Sequence, residues 1–355
     1  MSKFIPRFIN IYIFYIVSAD NMMVRPFKLM DFKMEIVLVS TFIAYVFAWY
    51  KGKALNMSKA KNWLNGQIEF LQSQFALVGD KKTNDKSILM MDGPADYLLY
   101  TSGRRHVQFG HWWLKLKPRN DPLTFFTTTL LSMIGYAKPV SDRVSLKLHL
   151  DKALSDKFVF AVIKKDLSDE LYKNRFDLKR VAKIASSKII PENQFIIYSE
   201  TQKLADLILN SKVGEIINQN LDRLQSFIIS SLPSEEPERF ESDGYISLHL
   251  DFLMPDTSNV LDPYVKLACF IPDFVSQLRL TSDIKSKINK NREEIVKEFS
   301  KKIAADRAEE LAKKKAEAKR AEEERIKKLS PAEQRKWEEK ERLRNLKKQQ
   351  KKRRI

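Results

Sequence analysis

The stretch HVQFGHWWLKLKP, residues 106–118, alternates in the manner of a strand until Pro118 stops it. A strand turns successive side chains to opposite faces, so a period of two reads as one buried face and one open face. Trp112 and Trp113 then fall on opposite faces: one can join a core while the other meets solvent or a docking partner, unless neighbouring elements cover both. Similar patterns occur in YLLYTSG at 97–103, RVSLKLHL at 143–150 and KFVFAVIK at 157–164, with Gly103, Pro118 and Pro139 as punctuation. These segments are expected to be neighbours in an antiparallel sheet. Helical spacing follows in LSDELYKNRFDLKRVAKIASS (167–187) and SETQKLADLILNSKVGEIINQNLDRLQSF (199–227), with the short strand QFIIYS (194–199) between them. A last strand, GYISLHLDFLM (244–254), leads into an apolar helix over 262–280. Strands first and helices later predict an α+β domain rather than a wound parallel sheet.

Upstream of this domain, IVLVSTFIAYVFAWY at 36–50 carries no charge. It is shorter than the roughly 20 residues that span a hydrocarbon core, but Met34 and the amphipathic Trp49 and Tyr50 extend it. The expected membrane-facing residues are Ile36, Val37, Leu38, Val39, Phe42, Ile43, Val46, Phe47, Trp49 and Tyr50. Apolar side chains run all round the segment, which distinguishes an anchor from the one-sided stripe of a core helix. Lys51, Lys53, Lys59 and Lys61 follow it without an acid, whereas Asp31 and Glu35 offset Lys28 and Lys33 ahead of it. The basic-loop bias places the C-terminal side in the cytosol. An earlier run, FINIYIFYIVSA at 8–19, follows Lys3 and Arg7 and is signal-like. It is open to three readings: a cleaved signal, a further membrane segment, or translation from a Met upstream of the working start. Beyond the anchor, 56–76 carries Trp63, Ile68, Leu71 and Phe75 at helical spacing, and VGDKKTNDKS (78–87) is a polar link.

The chain of 355 residues has a net charge of +18. Residues 283–355 hold 27 Lys or Arg against 15 Asp or Glu, so +12 of that excess sits in the last fifth. Such a field attracts phosphate, on RNA or on lipid, and predicts salt-dependent binding. Glu309 with Lys313, Glu310 with Lys314, Glu323 with Lys327 and Glu324 with Lys328 are acid-before-base pairs at i and i+4, which support a solvated helix. Ile303, Leu311, Ile326 and Leu329 are too sparse for a tight zipper, leaving a single helix or a weak coiled coil. Ser330, Pro331 and Glu333 then form a capping-box start, so a break near 330 separates a helix of about 70 Å from a second helix. The end, RLRNLKKQQKKRRI, has eight basic residues and no acid. The expected polyanion contacts are Arg342, Arg344, Lys347, Lys348, Lys351, Lys352, Arg353 and Arg354.

Catalytic signatures are missing. Nine glycines include no phosphate-cradling loop, and there is no G-x-S-x-G elbow. His106, His111, His149 and His249 lack metal-ligand spacing and read as surface or edge histidines. The single cysteine, Cys269, excludes an internal disulfide framework and reads as a buried packing residue. No enzyme, cofactor or metal is expected.

The organisation is therefore a segment at 1–33, an anchor at 34–50, a cytosolic α+β domain at 56–281 and a charged helical tail at 282–355. Within it, YTSGRRHVQFGHWWLKLKPR, PVSDRVSLKLHL with KFVFAVIKK, and INKNREEIVKEF leading into KAEAKRAEEERIKK resemble the coiled-coil domain-containing protein 47 family of endoplasmic reticulum membrane proteins. The resemblance runs from about residue 34 to the end and rests on segment order and local wording. It departs in one respect, since animal members have a long acidic luminal region ahead of the anchor; the calcium binding proposed for that region is not carried over. The resemblance implies a subunit of the PAT complex, an intramembrane chaperone in membrane protein biogenesis. Its implied partners are a small Asterix-like membrane subunit, the Sec61 translocon, the ribosome through rRNA phosphates, and nascent multi-pass membrane proteins. By position, the family's ribosome contact would fall on Lys347, Lys348, Lys351, Lys352, Arg353 and Arg354. A polybasic lipid clamp on the same membrane or another is the competing reading of the same charges.

Overall fold

A computed structural model describes residues 32–79, 88–151, 156–238, 240, 244, 246–255, 260–327 and 330–352. The signal-like run at 8–19, residues 80–87 of the polar link, Lys328, Leu329, Arg353 and Arg354 lie outside the described residues. Two compact units emerge. One comprises Met1–Lys61, Met91–Asp96 and Leu116–Ser141; the other comprises Asn62–Met90, Tyr97–Lys115 and Asp142–Ile355.

The first unit holds most of helix α1, Lys33–Gln74, and all of helix α2, Pro122–Met133. The helix expected over 56–76 is thus the continuation of the helix that carries the apolar run. No proline interrupts the run, and its two glycines, Gly52 and Gly66, cost a helix only about 1 kcal/mol each. Helix α2 was not anticipated. Its start is nevertheless written in the sequence, with Asp121 as N-cap and Pro122 in the first turn.

The second unit is built on an antiparallel sheet. Its strands are β1 Leu77–Val78, β2 Met90–Met91, β3 Asp96–Ser102, β4 Val107–Lys115, β5 Arg143–Leu150, β6 Val159–Lys164, β7 Lys183–Ala185, β8 Phe195–Ser199, β9 Leu224–Ser230 and β10 Ser247–Leu253. Among the described residues the order is β1-β3-β4-β5-β10-β9-β6-β8-β7, with β2 on β3. The fold is α+β, as the order of patterns predicts. The last strand inserts centrally: Leu250 pairs with Leu146 of β5 on one side and with Phe227 of β9 on the other.

Register sorts the side chains. Trp112, Leu146, Leu250 and Phe227 share one face, with Phe160 and Val162 continuing it on β6, and all six are buried. Trp112 is 0% exposed, its indole donates to Thr101 Oγ1 at 3.1 Å, and Trp63 of α1 lies 6.5 Å away. Trp113, on the other face, is only half-buried. In the β6, β8 and β9 half that second face is covered too, where Val159, Ala161, Ile163, Tyr198 and Ile228 cluster with Leu178, Val181, Ile295 and Phe299. This is why KFVFAVIK is apolar almost without alternation: a strand covered on both faces has no polar side to declare.

Two helical expectations are corrected. Residues 167–187 form α3 Lys165–Asn174, α4 Phe176–Val181 and then strand β7, because the backbone at Arg175 and Ala182 is extended. Residues 199–227 form α5 Gln202–Leu209, α6 Lys212–Gln219 and a short 3-10 turn, after which the chain is already strand β9 from Leu224. A short apolar run satisfies either period, and sheet pairing decided it. The later helices are α7 Pro263–Gln277, α8 Ser282–Lys327 and α9 Pro331–Lys352.

Candidate functional site

Among the described residues, α1 is one helix long and apolar enough to cross a membrane, and none of its most apolar window is buried. Ile36, Val37, Leu38, Val39, Phe42, Ile43, Phe47 and Tyr50 are exposed, while Val46 and Trp49 are half-buried. A core helix would have covered them. At the polar end, Trp49 and Tyr50 meet edge to face at 5.0 Å, and the Lys53 ammonium sits 5.2 Å from the Trp49 ring. Aromatic rings beside a lysine suit the headgroup level of a bilayer, where both find partners.

The loop ahead of α2 is fastened to this same part of α1. The Asn56 amide donates to the carbonyls of Pro94 and Lys117, both at 3.1 Å, and its Oδ1 accepts from Arg119 at 3.0 Å. Gly52 allows the helix and loop to touch, since a Cβ there would stand 2.0 Å from the Arg119 carbonyl oxygen. The Tyr45 hydroxyl donates to the Asp121 carboxylate at 3.3 Å. Asp121 also accepts from the Thr124 hydroxyl and from the amides of Leu123 and Thr124.

In the second unit, α8 starts inside the core: Ile284, Ile288, Ile295 and Phe299 are buried. Burial thus continues past residue 282, where the composition turns polar. Glu200, with a fully buried side chain, accepts from the Val159 amide (2.9 Å), Asn291 (2.9 Å) and Arg292 (2.7 Å). Arg292 also donates to Ser231 Oγ at 2.9 Å. Burial raises the Glu200 pKa despite the guanidinium beside it. Lys285 pairs with Asp156 at 2.8 Å, and Arg180 pairs with Glu298. Farther out, α8 is exposed and Glu309 closes on Lys313 at 2.7 Å. At Ser330 the Glu333 carboxylate accepts from the serine amide (3.2 Å) and hydroxyl (2.7 Å), which holds the Glu333 carboxyl below its usual range. Arg342, Arg344 and Lys347 are exposed on α9, and Lys348, Lys351 and Lys352 lie on the same helix.

The histidines have a different setting from the one expected. His111, His149 and His249 sit on β4, β5 and β10, interior strands of the sheet, on the face opposite Trp112 and Leu146, and all three are partly buried. Phe109 stacks on His149 at 4.5 Å, and Lys147 pairs in register with both His111 and His249. Burial, then the positive charge of Lys147, lowers all but one of these pKa values in that order; for His249 Arg175 acts ahead of Lys147. His149 falls to about 4, and His249 lies well below the usual imidazole range. Lys147, His149 and His249 border a cavity of about 450 Å³ with Ser231, Ser247 and Phe240. Among the described residues no group of three or more His, Cys, Asp or Glu could hold a metal ion. Cys269 is buried and its thiol is pushed up to about 12, the behaviour of a packing residue.

The sequence pattern of the family described as PAT complex subunit CCDC47 matches residues 31–348. Among curated proteins, PAT complex subunit CCDC47 of Danio rerio is 28% identical over 302 residues, covering 79% of this chain and 60% of the relative. The Homo sapiens protein of the same name is 28% identical over 301 residues, with 79% and 61% covered. An endoplasmic reticulum membrane protein of Schizosaccharomyces pombe is 29% identical over 215 residues, covering 58% of this chain and 56% of the relative. The chain thus spans about three fifths of the length of the curated relatives it matches. Because the family pattern runs from the start of the apolar helix through the sheet and into the basic helix, the chain belongs to the PAT complex subunit CCDC47 family.

Proposed function

We propose that this chain is an endoplasmic reticulum membrane subunit of a PAT-type intramembrane chaperone, working beside the ribosome and the translocon during insertion and folding of multi-pass membrane proteins. It catalyses no reaction of its own. Residues 34–50 are the anchor, 56–281 the cytosolic domain that meets a Sec61-type channel and an Asterix-like small subunit, and 282–355 the arm that reaches the ribosome. Residues 1–33 are the short N-terminal or luminal segment ahead of the anchor, signal-like over 8–19.

The observation that carries this reading is α8 with α9. A helix of 46 residues is about 70 Å long and is rooted in the core by Ile284, Ile288, Ile295 and Phe299. A rooted helix holds its far end at a defined distance, and α9 then adds Arg342, Arg344, Lys347, Lys348, Lys351 and Lys352. Lysine and arginine neutralise rRNA phosphates and release counterions, giving affinity without sequence readout. Anchoring the other end in the membrane confines the search, which raises the effective concentration of the arm at a docked ribosome.

The test is co-sedimentation with ribosomes from gently solubilised membranes, comparing the full chain with one ending at Leu329 over a salt series and with RNase. The full chain should pellet with ribosomes and be released by truncation or moderate salt. For about six neutralised phosphates, affinity should drop on the order of 10³-fold between 50 and 200 mM salt. If the full chain stays in the supernatant yet binds anionic vesicles regardless of RNase, the tail is a lipid clamp and the ribosome contact is withdrawn.

A further inference from the structure

We infer that helix α2, Pro122–Met133, is a second membrane element, lying among the acyl chains of the cytosolic leaflet beside the anchor and returning to the side it came from. This rests on the reading of α1 as a membrane span. From residue 122 to residue 137 the chain carries no charge. No residue of α2 is buried; Leu123 is 70% exposed, Phe126 67% and Met133 82%, and Tyr136 just beyond is 84% exposed. A soluble chain does not present this much apolar side chain to water without a cover.

The path of the chain says what the cover is. Lys117 meets Asn56, Arg119 approaches Gly52, and Asp121 meets Tyr45. From Asn56 back to Tyr45 is about 16 Å along the helix axis, so the loop descends the anchor from its basic cytosolic end into the apolar stretch before α2 begins. The incoming and outgoing flanks carry Lys117, Arg119 and Lys138, suited to headgroups on one side of a bilayer. Twelve residues of helix are about 18 Å long, too short to cross a core of about 30 Å.

Polar groups in hydrocarbon must be satisfied internally, and α2 meets that demand. Pro122 has no N–H to satisfy; Leu123 and Thr124 donate to the Asp121 carboxylate and Phe125 to the Asp121 carbonyl. The hydroxyls of Thr127, Thr128 and Thr129 donate back to the carbonyls of Leu123, Thr124 and Phe125 at 2.6–2.8 Å. Ser40 and Thr41 of α1 do the same to Val37. At the far end Gly135, at φ +81°, lets Ile134, Gly135 and Tyr136 cap the carbonyls of Leu130, Ser132 and Leu131.

The test uses the full chain in phosphatidylcholine vesicles, with Cys269→Ala as background and an environment-sensitive fluorophore on Phe126→Cys or Met133→Cys. Phe42→Cys in the anchor and Glu192→Cys on the domain surface are the references. The inference expects the Phe126 and Met133 labels to lose fluorescence on brominated acyl chains as the Phe42 label does, and to resist aqueous iodide. Iodide quenching at Phe126 matching that at Glu192, with Phe42 still lipid-quenched, overturns the inference and leaves the anchor intact. Labels at Phe126 and Met133 shielded from both quenchers mean a protein covers α2, a second copy or a copurified partner, and also overturn it. Iodide reaching Phe42 removes the membrane span itself and the inference with it.

Discussion

Replacing Glu200 by alanine should be among the most damaging single changes in the sheet unit, and its cost can be worked from its neighbours. The carboxylate is fully buried and joins three elements: the Val159 amide of β6, Arg292 and Asn291 of α8, and its own position after β8. Removing it leaves the Arg292 guanidinium, only 13% exposed, without its counter-charge; among the described residues its Nη1 already has no hydrogen-bond partner. Breaking one side of such a pair costs about 3–5 kcal/mol, because a charge stays buried and uncompensated. For a domain of about 200 residues each kcal/mol shifts the midpoint by roughly 2–4 °C, so thermal unfolding in detergent should move down by about 10 °C. The raised Glu200 pKa shows burial outweighing the attraction of Arg292, so the pair itself adds little net stability. Glu200→Gln with Arg292→Met should therefore recover most of the loss, since glutamine keeps an acceptor for Val159. Trypsin should also cut the start of α8, at Lys287, Lys290 or Lys297, faster in the single variant because the root of the arm opens more readily. A loss under about 1 kcal/mol for Glu200→Ala, or a double variant no better than the single one, would refute the buried-charge account.

Acid should weaken the sheet unit through its histidines. In the unfolded chain imidazole protonates near pH ~6.5, whereas His149 in the fold does so only at about 4 and His249 is also held well below the usual range; their stabilisation is complete above pH ~6.5 and is lost as pH falls, for His149 toward 4. With solvent screening of the half-exposed His149 ring, its share is about 1 kcal/mol, and His249→Gln should flatten the fall in urea midpoint between pH 7.5 and 5. Gly52→Ala forces a Cβ against the Arg119 carbonyl and should cost about 1–3 kcal/mol, read as faster hydrogen exchange at residues 117–121. Ser330→Ala removes the hydroxyl that Glu333 accepts from and should cost the start of α9 about 1 kcal/mol, read as faster exchange over 332–336 without change in the sheet.

Much of the candidate site was legible because its signals are local. The apolar helix declares itself by an uncharged run, the tail by charge sign and i,i+4 pairing, and the break at Ser330 by its capping residues; none of these needs a distant partner. The histidines illustrate the opposite case. Their spacing said only that they fit strands, and it took the insertion of β10 between β5 and β9 to bring His149, His249 and Lys147 together on one face. Strand β9 was hidden for a related reason: LQSFIIS fits a helix end until β6 and β10 pair with it. Helix α2 had a signal that was present and unused, an Asp-Pro start followed by apolar and threonine residues without a charge.

By itself, then, the sequence determined the α+β class, a long apolar helix ahead of the sheet and long charged helices after it. Each follows from hydrophobicity, charge and backbone preference within a few turns of chain. Only the tertiary structure decided where the arm begins and what the loop at 117–121 does. Ile295 and Phe299 look like sparse apolar residues in a charged helix until the outer face of β6 and β9 needs covering. Gly52, Asn56 and Tyr45 look unremarkable in a helix until a segment more than 60 residues away comes back to meet them. Contacts of that kind depend on which surfaces are left unburied once the strands have paired, and no local pattern encodes that.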